Sequence, residues 1–348
     1  MSGEVLCLIG GQYGSEGKGV IAHHLAGEYG VHVRVGGPNA GHTFRNNGRI
    51  WKMRSLPCGW VNPDATLIIG AGAIFDPELL AEEIHATLTS PKRVWVDPRA
   101  VVIEPADRSG PYSLKETIGA TGEGVGPARI RRMWRGVEPV RTAWDLFIDG
   151  KGKYPWRVAD ASGIINRMRL SGANVLLEGT QGALLSLIHG PWPYVTSADT
   201  GAAQLLADCG VPPTANVKVL MTIRTFPIRV GGHSGPLPNE TTWEKISELI
   251  GKKVEEFTTV TKRLRRVGFF EASDVEKAIG LNGPDGLAVM FMDYLFPTCE
   301  GMRGWDELPS SVQQATRDLE QKFGVPVKFI GTGGPDFAVV EVPYDDRV

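Results

Sequence analysis

The stretch of sequence that decides the fold reads VLCLIGGQYGSEGKGVIAHHLA and occupies residues 5–26. Residues 5–9 are all apolar, which predicts a strand that is buried on both faces. A glycine-rich loop follows at residues 10–17, and we expect a helix from Lys18 onward. This arrangement favours a phosphate site, because backbone N–H groups, the helix N-terminus and the lysine all face the anion.

The spacing of this loop departs from the standard phosphate-binding motif, G-x-x-x-x-G-K-[ST]. Gln12 stands at the position of the first glycine, and Gly19 stands where a serine or threonine would bind Mg²⁺. A metal ion at this site therefore needs a ligand from elsewhere in the chain. The alternative interpretation is a tight strand-to-helix turn that binds no ligand.

Short apolar runs recur along the chain and alternate with segments that resemble helices. The runs lie at residues 65–69, 94–96, 175–177, 217–222, 287–292 and 327–330. They are apolar on consecutive positions, as parallel strands covered on both faces are. Helices are predicted at 77–84 with Asp76 as N-cap, at 243–250 after Thr242, and at 310–323. The alternation predicts an α/β fold around a mainly parallel central sheet, and without an evident linker residues 1–348 form a single large domain.

Composition narrows the class of protein. The chain has 348 residues, 42% of them hydrophobic, and a formal net charge of -2, so no global field favours nucleic acid or an anionic membrane. The first apolar run is too short for a signal peptide, and no segment reaches the roughly 18 apolar residues of a spanning helix. The four cysteines are scattered, which predicts free thiols rather than disulfides or a zinc site. We therefore expect a cytoplasmic protein.

Glycine is abundant, at 44 residues, and clusters at 36–41, 70–72, 119–126, 231–235 and 331–334. Such loops let the backbone approach a ligand closely. On a parallel sheet they predict a site at one edge, beyond the ends of the strands.

Six segments that follow the first loop carry a more specific signal. In chain order they are GGPNAGHT (36–43), TGEGVGP (121–127), EGTQG (178–182), HGPWPYVTS (189–197), KRLRRVG (262–268) and GTGGP (331–335). Together with GQYGSEGKG in the first loop, where the family pattern is GQWGDEGKG, they resemble the adenylosuccinate synthetase family. The resemblance extends from residue 5 to about residue 338, and it implies that family's α/β fold, which is related to the P-loop proteins.

The resemblance also implies a two-step ligation. A nucleoside triphosphate, with Mg²⁺, phosphorylates O6 of a purine nucleotide, and the amine of L-aspartate then displaces that phosphate. Catalysis of such a transfer is mostly positioning and neutralisation of charge. The positions that match the family's catalytic residues are Ser15, Lys18, His42 and Gln181.

The family's binding residues carry over to further positions of this sequence. For the substrate nucleotide they are Ser15, Asn39, Thr121, Arg135, Gln181 and Thr196. For aspartate they are Thr261, Arg263 and Arg265, and for the metal Ser15 and Gly41. For the nucleoside triphosphate they are Gly14, Glu16, Gly17, Lys18, Gly19, Gly41, His42, Thr43, Asp293, Gly331 and Gly333. The resemblance further implies a homodimer in which Arg135 reaches the substrate phosphate of the other subunit.

Ser15 is the departure from the family that bears on the substrate. It replaces the aspartate that takes the N1 proton of hypoxanthine and binds Mg²⁺, and a serine hydroxyl is a poor base at neutral pH. Its smaller side chain leaves room for the 2-amino group of guanine and can accept a hydrogen bond from it. The substitution is similar to a phage branch of the family that acts on dGMP and supports synthesis of 2-aminoadenine DNA. The chain would then work in the host cytoplasm. The alternative is an ordinary adenylosuccinate synthetase, weakened by drift, that uses IMP and GTP.

Phe291 is the departure that bears on the phosphate donor. The sequence Met-Phe-Met-Asp at 290–293 stands where the family has Thr-Lys-x-Asp, its guanine-reading element. Asp293 is retained, but the lysine has become Phe291, and an aromatic ring stacks on either purine. We therefore expect ATP as donor, with dATP or GTP as alternatives. The alternative interpretation is that Phe291 is a core residue at the end of a strand and has no role in binding.

A rival from another class is a nucleotide-binding switch without ligase activity. It would have no need of Gln181, His42 or the arginine pair Arg263 and Arg265. Nucleic-acid binding is a poorer rival, since the basic run at 262–266 has no interleaved aromatic residues.

Overall fold

The computed structural model describes residues 2–109, 115–137, 139–150, 153–258 and 262–343. Its strands are β1 Val5–Gly10, β2 Val31–Arg34, β3 His42–Asn46, β4 Arg49–Met53, β5 Thr66–Ile69, β6 Ile74–Phe75, β7 Val94–Val96, β8 Val101–Val102, β9 Arg157–Val158, β10 Val175–Glu178, β11 Val217–Arg224, β12 Ile228–Arg229, β13 Glu240–Thr241, β14 Arg266–Gly268, β15 Gly286–Met290, β16 Val327–Gly333 and β17 Ala338–Glu341. Its helices are α1 Lys18–His24, α2 Pro77–Ala86, α3 Pro105–Ser109, α4 Lys115–Ile118, α5 Val125–Met133, α6 Ala143–Gly150, α7 Ala161–Leu170, α8 Ala202–Cys209, α9 Trp243–Ile250, α10 Ala272–Asn282, α11 Met292–Leu295 and α12 Ser310–Phe323.

A sheet of ten strands forms the centre of the fold, in the order β17-β16-β15-β11-β1-β10-β2-β5-β7-β9. Neighbouring strands are parallel except at the edge, where β17 pairs antiparallel with β16. The predicted α/β fold with a mainly parallel sheet is confirmed. Alternate residues of β1 enter the two main hydrophobic clusters, with Val5, Cys7 and Ile9 in one and Leu6 and Leu8 in the other. The sheet is therefore covered on both faces, as the consecutive apolar residues predicted.

The predicted helices begin where their capping residues placed them. Asp76 accepts hydrogen bonds from the amides of Glu78 and Leu79 at the start of α2, at 3.0 and 3.2 Å. Thr242 caps α9 through the amide of Lys245, and α12 has the predicted bounds. The four cysteines are buried free thiols, as expected.

Three predicted strands end two or three residues away from the predicted position. The strands at 217–222 and 327–330 continue to Arg224 and Gly333. The strand predicted at 287–292 was wrong at its end, because β15 stops at Met290 and Phe291 takes a left-handed conformation with φ 63°. The Thr225 hydroxyl donates to the carbonyl of Phe291 and holds this turn.

The sequence analysis missed β2, which lies between β10 and β5 in the sheet. This strand reads Val-His-Val-Arg, and His32 and Arg34 are buried together with the two valines. Because a histidine and an arginine alternate with the valines, this strand lacks the consecutive apolar residues by which the other strands were predicted.

Four central strands, β10, β1, β11 and β15, end at the same edge of the sheet because they are parallel. The segments that follow them are the first glycine loop, the Gln181 loop, and the turns after Arg224 and Met290. Such an edge is where parallel α/β proteins bind ligands. No helix within the described ranges is long and apolar enough to cross a membrane.

Candidate active site

The first glycine loop is shaped by a buried carboxylate. Glu16 is inaccessible to solvent, and its Oε1 accepts hydrogen bonds from the amides of Gln12 and Gly14 at 3.1 and 2.7 Å. Its Oε2 lies 2.7 Å from Nζ of Lys18. Glu16 therefore faces into the loop, so a contact with a nucleotide at this position would come from the main chain.

Lys18 joins the first loop to the Gln181 loop. It is 3% exposed, and its ammonium group also donates to the carbonyl oxygen of Gln181. Gln181 takes a left-handed conformation with φ 65°, which a residue other than glycine seldom adopts. The lysine thus fixes the backbone from which the Gln181 amide projects.

Gly19 explains why the loop departs from the standard motif. A Cβ atom at this position would lie 2.7 Å from Cβ of His42. A serine or threonine would therefore displace the histidine, and the position is kept small so that His42 can pack against α1.

His42 belongs to a buried ionic cluster. Its Nδ1 lies 2.5 Å from Oε1 of Glu178, which also accepts from Arg34 at 2.6 Å. The other oxygen of Glu178 accepts from the amide of Cys58 at 2.7 Å. Burial and then Arg34 lower the pKa of His42 to about 4. Burial alone would raise the pKa of Glu178, but Arg34 and His42 outweigh it and lower that pKa to about 2.

This cluster fixes the tautomer of the imidazole. A carboxylate only accepts hydrogen bonds, so Nδ1 of His42 carries a proton and donates it to Glu178. In the described part of the chain Nε2 makes no hydrogen bond, and His42 lines the cavity of the site. An anion placed there would favour the protonated ring, with the Glu178 carboxylate balancing its charge.

His42, Cys58 and Glu178 also have the spacing of a metal-binding group. Their charges do not fit a cation, because Arg34 already pairs with the carboxylate. Burial raises the pKa of the Cys58 thiol well above its usual range, so the thiolate that a metal requires is disfavoured. We interpret the group as an orienting network rather than a metal centre.

The site itself is an open cavity of about 620 Å³ beyond the strand ends. The predicted site residues that line it are Gly14, Ser15, Gly17, Lys18, Gly19, Asn39, Gly41, His42, Thr43, Thr121, Gln181, Thr196 and Arg265. They come from segments far apart in sequence, including two of the five glycine clusters, 36–41 and 119–126, and a third cluster, 231–235, adds Ser234 to the wall. A smaller adjoining cavity shares Asn39, Gln181 and Thr196 and adds Arg129.

Several predicted site residues lie elsewhere. Arg263 is exposed, and its amide donates to the Thr258 hydroxyl at 2.9 Å within a turn. Thr261 lies outside the described residues. Arg135 is exposed on the turn after α5 and does not line the cavity. Within this chain the structure brings only Arg265 of the predicted arginine pair to the cavity wall.

Arg224 is a site residue that the sequence analysis missed. It is fully buried at the end of β11 and donates to the Ser15 carbonyl at 3.0 Å. It also pairs with Glu256, and its guanidinium lies 4.0 Å from the centroid of the Phe291 ring. Burial would raise the pKa of Glu256, but Arg224 and Arg265 outweigh it and lower that pKa. The sequence feature that could have indicated this residue is its position, since an arginine at the end of a mainly apolar strand has to be paired when it is buried.

Asp293 lies in α11, directly after the turn at Phe291, and packs against Gly333 without lining the cavity. A Cβ atom on Gly333 would lie 2.5 to 2.6 Å from the three terminal atoms of the carboxyl group. Its Oδ1 is buried and has no hydrogen-bond partner among the residues described. Burial raises the pKa of Asp293 to about 7. The predicted positions Gly331 and Gly333 thus make room for the β15 turn, and they do not line the cavity.

Comparison with known proteins agrees with this geometry. The family model of adenylosuccinate synthetase matches residues 7–151 and 139–300. The chain belongs to the adenylosuccinate synthetase family. The adenylosuccinate synthetase of Methanococcus vannielii is 38% identical over 335 residues, covering 94% of this chain and 95% of that one. That of Methanocaldococcus jannaschii is 38% identical, covering 94% and 93%.

Two solved structures are similar over nearly the whole chain. The succinoaminodeoxyadenylate synthetase (PurZ) of cyanophage S-2L, bound to dGMP and to dATP as an energy donor, has a TM-score of 0.82 at 29% identity and covers 99% of this chain and 97% of that one. Adenylosuccinate synthetase from Plasmodium falciparum, fully ligated, has a TM-score of 0.85 at 21% identity, with 98% and 100% covered. The second likeness shows the fold alone.

As an adenylosuccinate synthetase family member, the protein is a carbon–nitrogen ligase that joins aspartate to a purine nucleotide. Adenylosuccinate synthetases use Mg²⁺ and a GTP phosphate donor. Ser15 and Phe291, two positions at which this sequence departs from the family pattern, both contact the buried Arg224. The carbonyl oxygen of Ser15 accepts a hydrogen bond from its guanidinium, and the ring of Phe291 lies against it.

Proposed function

We propose that this ligase joins L-aspartate to C6 of dGMP through a 6-phosphoryl intermediate made with ATP, giving N6-succino-2-amino-dAMP for 2-aminoadenine DNA synthesis. The observation that carries the proposal is Ser15, which lines the cavity together with Lys18 and Gln181. A serine there leaves space for the 2-amino group of guanine and accepts a hydrogen bond from it.

Three carboxylates near Ser15 or on the cavity wall are already engaged and do not supply the base that Ser15 lacks. Glu16, the neighbour of Ser15, is turned into its own loop. Glu256 pairs with Arg224, and Glu123 pairs with Arg54 at 2.5 Å. Two further carboxylates on the wall, Asp107 and Glu255, lie 2.6 Å from Arg131 and 3.8 Å from Lys253. All five are engaged by cations or amides, so we propose that none of them replaces the aspartate that the family has at position 15.

The likeness to the cyanophage enzyme supports the same proposal. That protein is bound to dGMP and dATP, and the likeness covers 99% of this chain. By this proposal the present chain takes the same class of acceptor and works in the cytoplasm, which is the host's if the chain is phage-encoded.

The donor side of the proposal rests on Phe291, which lines the cavity where the family has a lysine. The Arg224 guanidinium lies 4.0 Å from the centroid of this ring, and such a cation–π contact holds the ring in place to stack on a purine. We propose ATP as donor, with dATP and GTP as the alternatives that the experiment below distinguishes.

Magnesium would be held by the Ser15 hydroxyl and the Gly41 carbonyl, and both residues line the cavity. These are hard oxygen ligands that suit Mg²⁺, which usually takes its other ligands from phosphates and water. They are neutral, whereas the family's aspartate is charged. The ion would neutralise charge on the phosphoryl group, beside His42 and Lys18.

For aspartate we propose Arg265, with Arg263 and Thr261 on the adjoining turn. Arg265 lines the cavity, 3.9 Å from Glu256, so its guanidinium is held at the wall. A guanidinium fork matches a carboxylate bidentately, which suits a dicarboxylate substrate.

We also propose a homodimer in which Arg135 reaches the partner's substrate phosphate. Arg135 is exposed beside three exposed apolar side chains, Met133 at 69%, Trp134 at 42% and Val137 at 85%. Exposed apolar groups of this kind mark interaction surfaces.

Turnover with different acceptors and donors tests the proposal. Phosphate release would be followed with L-aspartate, Mg²⁺ and ATP, dATP or GTP, offering dGMP or IMP as acceptor, and the product mass would be measured. We expect turnover on dGMP. Turnover on IMP and none on dGMP would refute the proposal in favour of an ordinary adenylosuccinate synthetase. Nucleotide binding without any turnover would favour a switch.

A further inference from the structure

Arg129 carries a largely buried guanidinium group that has no partner among the residues described. Its Nε is buried and makes no hydrogen bond to any of them. Asp208 is the carboxylate that acts on it, but the two side chains do not form an ion pair in the described part of the chain. A buried cation without a partner destabilises a fold. The position of Arg129 therefore indicates a role other than stability.

The helix α5 holds this guanidinium at the wall of a cavity. Arg129 lies one turn after Val125, and side chains four residues apart share one face of a helix. Both residues line the smaller cavity of the site. The other arginines of this helix are engaged, since Arg131 lies 2.6 Å from Asp107 and Arg132 donates to two main-chain carbonyl groups. Arg129 is the arginine of α5 that faces the cavity.

The smaller cavity has the groups that bind phosphate. It shares Asn39, Thr196 and Ser197 with the larger cavity, which provides an amide and two hydroxyl groups near Arg129. Val125 also lines both cavities, and it belongs to the first turn of α5, whose N-terminus no side chain caps. A guanidinium, hydroxyl groups and a helix N-terminus all favour a phosphate anion.

Two arginine side chains are available for the anions of the reaction, and they lie in different cavities. Arg265 lines only the larger cavity, and Arg129 lines only the smaller one. Arg265 lies 3.9 Å from Glu256, so its charge is partly neutralised. A phosphate monoester carries about 1.5–2 negative charges at neutral pH, more than one carboxylate does. The unpaired Arg129 therefore suits the phosphate of a nucleotide, and Arg265 suits aspartate.

We propose that Arg129 binds the phosphate group of the acceptor nucleotide from within the same subunit. The inference goes beyond the proposed function, in which the phosphate receives an arginine only from the partner subunit. It rests on the family's use of a purine nucleotide, and it holds whether that nucleotide is dGMP or IMP. Each subunit then supplies a cation of its own to the phosphate.

The inference has two consequences of opposite sign. Loss of the guanidinium should weaken binding of the nucleotide about ten- to a hundredfold, the usual strength of a hydrogen bond to a charged group. In the free protein the same change removes a buried cation that has no partner, so Tm should stay the same or rise. A residue that only stabilises the fold would lower Tm instead.

Arg129→Gln tests the inference, and Arg317→Gln, the same change at an exposed position on α12, is the control. Steady-state kinetics would be measured with dGMP and with IMP. For the nucleotide that is turned over, we expect KM to rise about ten- to a hundredfold in Arg129→Gln. We expect KM for L-aspartate to change little. Arg129→Lys keeps the charge and should recover part of the affinity.

The matching nucleoside, deoxyguanosine or inosine, shows whether the lost affinity belongs to the phosphate. It would be added as a competitive inhibitor, and its inhibition constant should be the same in the wild type and in Arg129→Gln. Thermal unfolding with and without the nucleotide gives a readout apart from turnover. The rise in Tm on adding nucleotide should be smaller in Arg129→Gln than in the wild type or in Arg317→Gln.

Asp208→Asn separates phosphate binding from neutralisation of Asp208. Asp208 accepts from the Gln204 amide at 2.8 Å, and asparagine keeps that acceptor. Because the change removes a carboxylate that attracts Arg129, KM for the nucleotide should stay the same or fall. If Arg129 served only to neutralise Asp208, both variants would raise KM alike, and the inference would be wrong.

Three further results would overturn the inference. They are an unchanged KM for the nucleotide in Arg129→Gln, an equal loss of affinity for the nucleoside, and a lower Tm of this variant without ligand. Failure of the proposed function gives a different result. Turnover on IMP and none on dGMP would remove the proposed acceptor, while the effect of Arg129→Gln would still be measured with IMP.

Discussion

Replacing Glu178 with glutamine removes a negative charge that His42 and Arg34 share inside the protein. Glu178 is inaccessible to solvent and accepts from both side chains and from the Cys58 amide. Glutamine has nearly the same shape, but it has one acceptor oxygen in place of two and adds an NH₂ group that faces donors. The variant therefore tests whether the carboxylate charge, rather than the space it fills, holds His42 for catalysis.

The cost in stability can be worked from the titration of Glu178. Its pKa falls from 4.5 to about 2 on folding, which corresponds to about 3 kcal/mol of stability at neutral pH. Breaking a buried ion pair by removing one partner costs a similar amount, about 3–5 kcal/mol. Because the folded-state pKa is depressed, this contribution is present above pH 4.5 and is lost as the pH falls toward 2.

The cost in catalysis comes from His42. In the proposed mechanism Nε2 of His42 is protonated beside the phosphoryl group, and the carboxylate 2.5 Å from Nδ1 stabilises that charge, whereas glutamine provides none. We expect kcat on the acceptor nucleotide to fall about 10²–10³-fold, the usual loss when one charge-stabilising donor is removed. The pKa of His42 is about 4 without ligands, and the phosphates of bound nucleotides would raise it. We expect the resulting alkaline limb of the kcat–pH profile to move to lower pH in the variant, while KM changes little.

Urea unfolding at pH 7 and pH 4 and steady-state kinetics from pH 6 to 9 would check both parts. The matched control is Glu83→Gln, since Glu83 is also a buried carboxyl that accepts from the amides of Ser55 and Leu56, and it does not contact His42. A Glu178→Gln variant that is destabilised but keeps the wild-type kcat and pH profile would refute the positioning role. Equal loss of kcat in Glu83→Gln would attribute the effect to lost packing.

The remaining predictions concern three positions. Ser15→Asp should lower kcat/KM on dGMP by about tenfold or more, because a larger charged group occupies the space for the 2-amino group; unchanged dGMP kinetics would count against the proposed acceptor. Gln181→Ala should lower turnover at least about a hundredfold while circular dichroism stays native, because Lys18 binds the backbone carbonyl and only the side chain is lost; retained activity would remove the amide from the mechanism. Asp293→Asn should raise Tm at pH 8 and leave it unchanged near pH 3.5. Folding raises the pKa of the Asp293 carboxyl, so the ionised group destabilises the folded protein. This destabilisation is absent below the unfolded pKa of 3.8 and complete above about 7. An equal change in Tm at both pH values would contradict this explanation.

The elements that the sequence predicted are those whose signal is local. The α2 and α9 helices begin at capping residues, Asp76 and Thr242, that act within one turn. The strand β1 and the loop after it follow from consecutive apolar residues and glycines. The strand β2 escaped prediction because the charge of the buried Arg34 is balanced by Glu178, on a neighbouring strand 144 residues away. Such a pair is invisible until the topology places the two strands side by side.

The same difference between local signals and tertiary contacts applies to the candidate site. The motifs predicted which loops meet at the cavity, and Ser15, Lys18, His42 and Gln181 all line it. The motifs did not predict which other side chains position these four residues. The cluster around Glu178 and the contact of Glu16 with its own loop depend on side-chain directions that a motif does not contain. The end of β15 was missed for a related reason, because Phe291 turns the chain although the apolar run continues.

Arg224 links the two departures from the family that the sequence analysis treated separately. Its guanidinium donates to the carbonyl of Ser15 and lies against the ring of Phe291, while Glu256 neutralises it. A lysine at position 291 would bring a second cation to this buried guanidinium, and like charges in a desolvated site repel strongly. The buried arginine thus favours an aromatic residue at 291, and the same arginine sets the backbone of the loop that presents Ser15. Ser15 and Phe291, to which we attribute the choice of acceptor and of donor, are therefore parts of one packed unit, and a substitution at 291 is expected to alter the position of the serine.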